Sequence, residues 1–328
     1  MTKTSLKKVV VIGGGTGTHI VLSGLRRYPV SLTAIVTMAD DGGSTGKLRD
    51  EYGVLPPGDI RQCLVALSDE SLLLRKLFNH RFDRGGLSGH SFGNIFISTL
   101  EQVTGNLDQA LTVASRILKV RGEVVPVTLD KTTLVARLNN GRVLKGQHHI
   151  EQYHLLSKVG LKKLYLEPRA KVNLKALRAI KEADLIVVAP GNLYCSLLPN
   201  FIVSGVSAAF RKARGKKVYV GNLMNKFGHT DGFSVSDYVG ALETVLGKNA
   251  FDQVLYNNTM PDKALLKKYA EEGDPVRLAP QKKRNGTLYV GKNLLAKRLY
   301  RAPKGDKITR SLIRHDPVVL AQALYDIL

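Results

Sequence analysis

The first residues with legible chemistry are a glycine loop and, one element later, two adjacent aspartates. Gly13-Gly14-Gly15-Thr16-Gly17 directly follows the apolar run Val9-Val10-Val11-Ile12. Glycines let backbone N–H groups approach phosphate oxygens, and a helix starting at the loop adds positive partial charge. The loop therefore reads as a phosphate cradle, with a ligand-free tight turn as the plainer alternative. It matches no specialised fingerprint: Thr18 stands where the dinucleotide pattern G-x-G-x-x-G places its last glycine, and Gly46-Lys47 is followed by Leu48, not by the Ser or Thr of a P-loop. Asp40 and Asp41 lie in Ala39-Asp40-Asp41-Gly42-Gly43-Ser44-Thr45-Gly46. Either carboxylate could bind a ribose hydroxyl or hold a Mg²⁺ that bridges phosphates. Both residue types also make ordinary turns.

Further polar groups cluster before helical patterns. In Pro56-Pro57-Gly58-Asp59-Ile60-Arg61, Asp59 reads as a helix N-cap. Arg61 in a first helical turn opposes the helix dipole, so an anionic ligand or an acidic neighbour should offset it. In Gly89-His90-Ser91-Phe92, Ser91 reads as a cap and His90 as either a structural histidine or a general acid or base. His148 and His149 are adjacent, which is poor metal-ligand spacing on a strand.

These residues need a frame that brings loops together. Short buried strands at Val9–Ile12, Leu32–Val36, Leu185–Ala189, Lys217–Val220 and Gln253–Tyr256 alternate with helical patterns. The strand ends run into polar, glycine-rich turns, including Pro190-Gly191-Asn192, Gly221-Asn222 and Asn257-Asn258. Ligands of open parallel sheets bind beyond such carboxyl ends. The expected fold is α/β: a Rossmann-like doubly wound, mostly parallel sheet with a small antiparallel hairpin insertion. Asn139-Asn140-Gly141-Arg142 supplies that hairpin's turn. Thr37–Gly58 reads as a long polar loop. Ile60–Phe78 and Phe201–Arg214 each read as one helix, and Lys163–Glu167 reads as the strand that resumes the parallel alternation. The expected organisation is one domain over 1–328, with an inserted subregion around 121–160 and a basic segment at 263–314.

Composition narrows the classes. The chain has 328 residues and 49 Lys+Arg against 27 Asp+Glu, a net charge of +22 that favours a polyanionic partner. The stretch 263–314 holds 15 Lys+Arg and 4 Asp+Glu. A solvated basic face explains that stretch more simply than nucleic-acid binding, for which no known module occurs. Two cysteines, Cys63 and Cys195, exclude a disulfide framework and a multi-cysteine zinc site. No apolar run reaches the ~20 residues of a membrane span, and the apolar run after Lys8 is too short for a signal-peptide core. A cytoplasmic location is expected.

Six blocks resemble a known family: VVVIGGGTGTH, LTAIVTMADDGGSTGKLRDE, PPGDIRQCLVALSD, GLSGHSFGNIFI, ADLIVVAPGNLYCSLLPN and TDGFSVSDYV. Together they resemble the gluconeogenesis factor family (YvcK-like), related to 2-phospho-L-lactate transferase within the CofD-like superfamily. The resemblance implies a nucleotide-sugar ligand, UDP-N-acetylglucosamine foremost, and a regulatory role in cell-wall synthesis and cell shape during gluconeogenic growth. Cell-wall or peptidoglycan-synthesis regulatory proteins are the implied partners, and a homo-oligomer is left open. No cofactor is firmly implied beyond an optional Mg²⁺, placed at Asp40 and Asp41. The alternative is a Mg²⁺-dependent phospholactate transferase-like enzyme using a nucleotide-diphosphate-activated donor; a non-catalytic binder is favoured because no activated nucleophile or base stands out. Carried onto matching positions, the nucleotide site would comprise Gly13, Gly14, Gly15, Thr16, Gly17, Asp40, Asp41, Gly191, Asn192, Leu193 and Asn222. Tyr269 and Arg314 would lie near the uridine and sugar. The chain departs from the family pattern at Thr18-His19, Asn192, Cys195 and Asn225-Lys226-Phe227-Gly228-His229.

Overall fold

The structure is a computed structural model that describes residues 6–278, 283–284, 286–297 and 313–328. The run Val9–Ile12 is almost wholly excluded from solvent, as a strand covered on both faces requires. It lies within strand β1 (Lys7–Gly13), which pairs in parallel with β2 (Val30–Val36) on one side. On the other side β1 pairs in parallel with Leu185–Val188, the seventh strand of the chain. The remaining strands are β3 (Glu123–Pro126), β4 (Thr133–Leu138), β5 (Val143–Lys145), β6 (Leu161–Glu167), β7 (Leu185–Val188), β8 (Lys216–Val220), β9 (Gln253–Asn257), β10 (Lys283–Arg284) and β11 (Thr287–Lys292). The main sheet has the order β10-β11-β9-β8-β7-β1-β2-β3. Seven of its strands are parallel, and β10 adds a short antiparallel edge to β11.

Helices follow the strands. The N-terminal part contributes α1 (Gly15–Leu25), α2 (Gly43–Tyr52), α3 (Gly58–Leu67), α4 (Leu72–Asn79), α5 (Phe92–Thr104) and α6 (Leu107–Ile117). The insertion contributes α7 (Gln147–Glu151) and α8 (Leu156–Val159). The second half contributes α9 (Leu174–Glu182), α10 (Leu198–Phe201), α11 (Val206–Lys212), α12 (Val235–Leu246), α13 (Lys263–Tyr269) and α14 (Pro317–Tyr325). One helical layer is built on α1 with α3 and α14, and the other on α11 with α9 and α12. Strand order reverses on passing from β1 to β7, and right-handed crossovers then place the two layers on opposite faces. No helix among the described residues is long and apolar enough to cross a membrane.

The doubly wound expectation holds, with local corrections. Thr37–Gly58 is not all loop, because it contains α2, whose buried side is only Ser44, Thr45, Gly46 and Leu48. That polar face hid it from an apolar-periodicity reading; Gly53, in the left-handed region at φ 64°, ends it. Ile60–Phe78 is two helices, because Ser68 is extended and Ser71 caps a new start on the Leu74 N–H. Phe201–Arg214 is likewise interrupted, by Gly205 at φ 99°. Lys163–Glu167 falls in β6, which pairs antiparallel with β4 in a separate sheet of order β5-β4-β6. It therefore closes the insertion instead of resuming the parallel sheet. His148 and His149 sit on α7, not on a strand. Strand β11 gave no separate signal in the sequence. Parts of the basic 263–314 stretch, at 279–282, 285 and 298–312, lie outside the described residues.

The closest approach in the frame is between α1 and the turn after β7. A Cβ built on Gly17 would stand 1.8 Å from the Pro190 carbonyl oxygen. Only glycine permits this, so Gly17 provides the tight packing for which the dinucleotide fingerprint uses a different position. Gly17→Ala should destabilise the fold by about 1–3 kcal/mol through forced backbone displacement. A urea titration of both proteins checks this, with equal midpoints contradicting the packing.

Candidate functional site

An open cleft of about 570 Å³ lies where the loops after β1, β7 and β8 converge. This is the carboxyl edge of the sheet at the reversal of strand order, the usual ligand position for such sheets. Gly14, Gly15, Thr16 and Gly17 form one wall; Gly191, Asn192 and Leu193 form the facing wall. Asn222, Tyr269 and Arg314 also line it. Gly13 is buried at the end of β1, and Asp40 and Asp41 are not among the lining residues.

Each wall is positioned by identifiable bonds. Helix α1 begins at Gly15, with φ +64° there, and neither a side-chain cap nor a first-turn acid comes from its own sequence. The opening N–H groups of a helix lack intrahelical acceptors, so the loop presents donors and the positive end of a dipole. On the facing wall Asn192 starts a single π-helical turn, Leu193–Leu197. Its Oδ1 accepts from the Tyr194 and Cys195 N–H groups at 3.2 Å each. That fixes the amide plane and leaves its buried Nδ2 without a partner. Asn222 donates through Nδ2 to the Gly191 carbonyl at 2.8 Å and accepts from the Gly191 N–H at 3.1 Å. It therefore staples the β7 turn to the end of β8.

The loop after β8 brings residues that the motif reading noted only as departures. Lys226 donates to Glu151 of α7 at 2.6 Å, joining this loop to the insertion across the cleft. Burial opposes ionisation of Glu151, but Lys226, His229 and the Gln147 amide together outweigh it and hold the carboxyl below its ordinary range. His229 is buried beside Tyr194, and neither ring nitrogen makes a hydrogen bond of good geometry. Burial, reinforced by Lys226, lowers its imidazole to about 4, against the backbone and charge of Glu151. His315 Nε2 lies 3.1 Å from the Gly221 carbonyl, and burial lowers it to about 4 as well. Both rings are thus neutral near pH 7. Tyr269 packs on Met224 and Ile313 in a small cluster separate from the main core.

Behind the glycine loop lies a buried polar cluster that unites three sequence motifs. Asp59 is not the cap of α3, since that helix starts at Gly58 after Pro57. Its carboxylate instead turns to the Gly15 N–H, and a Cβ on Gly14 would stand 2.4 Å from its Oδ2. Burial, then the charge of Asp40, raises Asp59 to about 7, against the Gly15 N–H and Arg61. Burial likewise raises Asp40, which accepts from the Gly42 N–H at 3.1 Å and from Thr45. Arg61 has the acidic neighbour its position required, and it also donates to Asn94 Oδ1 at 2.9 Å. His90 Nδ1 lies 3.1 Å from Ser44 Oγ, and Ser91 caps α5 on the Asn94 N–H.

Asp41 has a different employment. It accepts from the Gln147 N–H at 3.1 Å and the His148 N–H at 2.7 Å, capping α7 from another part of the chain. Each oxygen thus accepts one backbone N–H. Asp40 interacts electrostatically with both Asp41 and Asp59, so either pairing offers the one or two carboxylates that suit Mg²⁺. When bound there, such a cation would neutralise negative charge next to the glycine loop. Among the described residues no group of three or more His, Cys, Asp and Glu side chains is placed to hold a metal.

The raised carboxyl of Asp59 gives a signed pH prediction. Between its ordinary value, near 4, and about 7, the native state binds a proton that the unfolded state does not. This contribution to stability is therefore fully present below that window and is lost as pH rises through it. Asp59→Asn should gain stability relative to the wild type as pH increases from about 4 to about 7. Urea midpoints of the two proteins across that range provide the check. A constant difference would contradict the raised carboxyl.

Comparison with known proteins agrees with this frame. The family model for 2-phospho-L-lactate transferase CofD matches residues 9–295. A gluconeogenesis factor of Bacillus subtilis is 38% identical over 324 residues, covering 98% of each chain. A gluconeogenesis factor of Halalkalibacterium halodurans is 42% identical over 275 residues, covering 82% of this chain and 84% of its own. A crystal structure of a Bacillus halodurans protein superimposes with a TM-score of 0.89 at 36% identity, covering 98% of this chain and all of the other. The matched range 9–295 includes the glycine loop, the turn after β7 and the cluster behind them, and the chain is a member of the gluconeogenesis factor family within the CofD-like superfamily.

Proposed function

We propose that the cleft binds a nucleoside-diphosphate sugar, with UDP-N-acetylglucosamine the leading ligand, and that the protein acts as a regulatory binder. The observation that carries this reading is the pairing of donor groups across the strand-order reversal. On one wall is the start of α1, where Asp59 takes the Gly15 N–H from behind and no N-cap side chain of the helix itself takes the N–H groups that follow; on the other is the buried Asn192 Nδ2. A diphosphate between them would accept from both, and its charge would meet the positive helix terminus. The cleft's volume, about 570 Å³, falls within the ordinary range for small-molecule sites. Tyr269 and Arg314 stand at the same cleft, where an aromatic face and a guanidinium suit a base or sugar. Ligand-dependent population of one conformation would then alter a surface read by cell-wall or peptidoglycan-synthesis regulatory proteins in the cytoplasm.

The half-buried Asp40 and Asp59 carboxylates, both raised, favour a second reading, a Mg²⁺-dependent transferase of the phospholactate type. In that reading the two carboxylates, which lie behind the glycine loop, would hold the cation, and the cation would supply charge neutralisation.

Melting curves with UDP-, GDP- and ADP-sugars, with and without Mg²⁺, test the proposal. Ligand at ~100-fold over its Kd should add about 2.7 kcal/mol of stability. The expected result is a shift confined to UDP-sugars, with the nucleotide sugar recovered intact and the shift much reduced in Asn192→Ala. A Mg²⁺-dependent shift with GDP-activated donor, accompanied by donor consumption, would favour the transferase. No shift with any nucleotide would overturn both readings.

A further inference from the structure

The cleft is not the only concave surface against α1. Ile20 faces the cleft, whereas His19 and Ser23 line a second groove of about 590 Å³ between α1, α3 and α4. Arg26, Arg27, Arg75, Lys76 and Arg81 line that groove. Arg26 donates to the Ser68 carbonyl just past α3 and lies 3.6 Å from Asp69, which also pairs with Arg121. That contact accounts for one guanidinium at the negative ends of α1 and α3. Among the described residues Arg27, Arg75 and Lys76 make no ion pair, and the Nε of Arg75 is buried without a hydrogen-bond partner. The crowding has a cost: burial, then the charges of Arg75, Arg27 and Arg121, lower the Arg26 guanidinium against the pull of Asp69. An anion in the groove would relieve that repulsion.

The rest of the groove fits an organic anion. Val65, Ala66 and Leu72 supply apolar wall, and Ser23 and Asn79 add polar groups. The volume is that of a small-molecule site, about 300–1,000 Å³. A concave pocket of this size suits a compact ligand better than a flat membrane. Guanidinium forks match phosphate oxygens two at a time.

We propose that this groove is a second ligand site, separate from the cleft, that takes a small phosphorylated molecule held by Arg27 and Arg75. Site-resolved arginine modification tests it on the full chain. The protein is treated with phenylglyoxal, with and without inorganic pyrophosphate, and modified peptides are quantified by mass spectrometry. Pyrophosphate should protect Arg27 and Arg75, whereas sodium chloride at equal ionic strength should not. In the folded double variant Arg27→Ser/Arg75→Gln, calorimetry should show the affinity of this event reduced about tenfold or more. Phenyl phosphate, which adds an apolar ring, should protect better than inorganic phosphate. Unchanged modification of Arg27 and Arg75 while Arg314 is protected would overturn the proposal, because the anion would then occupy only the cleft. Equal protection by sodium chloride would also overturn it, as general screening. If the double variant does not fold, the protection pattern of the wild type still decides.

Discussion

The site depends on β1 being hydrogen-bonded to β2 on one edge and to β7 on the other. Chain direction carries β2 and β3 away to one side and β8, β9 and β11 to the other. The turns after β1 and β7 therefore leave the sheet side by side but depart toward opposite helical layers. A cleft between them is a consequence of topology, before any side chain is chosen. Gly17 then sets how near the two turns come, because its missing Cβ lets α1 rest on the Pro190 carbonyl. Asn222 fixes the second turn from the neighbouring strand through its two bonds to Gly191. The residues that carry the donors of both walls thus line one cleft.

The cluster beneath the glycine loop carries a different cost. Asp40 and Asp59 are half-buried; the charge of Asp40 disfavours ionisation of Asp59, and those of Asp41 and Glu151 disfavour ionisation of Asp40. A fold selected for stability alone would place apolar groups there. The cluster stays tolerable because its polar atoms are bonded: Asp59 to the Gly15 N–H, Asp40 to Gly42 and Thr45, and Arg61 to Asn94. It also couples the charge state of the carboxylates to the loop that the proposed diphosphate would touch. Arrival of an anion or a cation at the loop would redistribute protons in this cluster, which makes ligand binding pH-dependent under either functional reading.

The sheet was legible because its strands are continuous apolar runs. The runs at Val9, Leu32 and Leu185 read as buried strands because they are short, rich in β-branched residues and followed by polar or glycine-rich turns. Helix α2 was hidden, because its buried side is Ser44, Thr45 and Gly46 with a single apolar residue, Leu48. Helix α7 depends on Asp41, more than a hundred residues distant, for its cap, and no local pattern announces such a partner. The same distance concealed the site's true composition. Asp59 read as a local cap, yet its position under the glycine loop follows from how α3 packs on α1. Lys226 and Glu151 belong to segments joined only by tertiary structure. Tyr269 and Arg314, by contrast, came from family resemblance, and the fold brings both to the cleft although they lie far from the glycine loop in sequence.

The central claim is that a nucleoside-diphosphate sugar bridges the turns after β1 and β7. Hydrogen exchange of the full chain with and without UDP-N-acetylglucosamine tests it directly. Backbone N–H groups in 14–18 and in 191–197 should gain protection together, with 222–230 following and the three-stranded sheet unchanged. Protection confined to one turn, or its absence from both while the ligand demonstrably binds, would contradict the account.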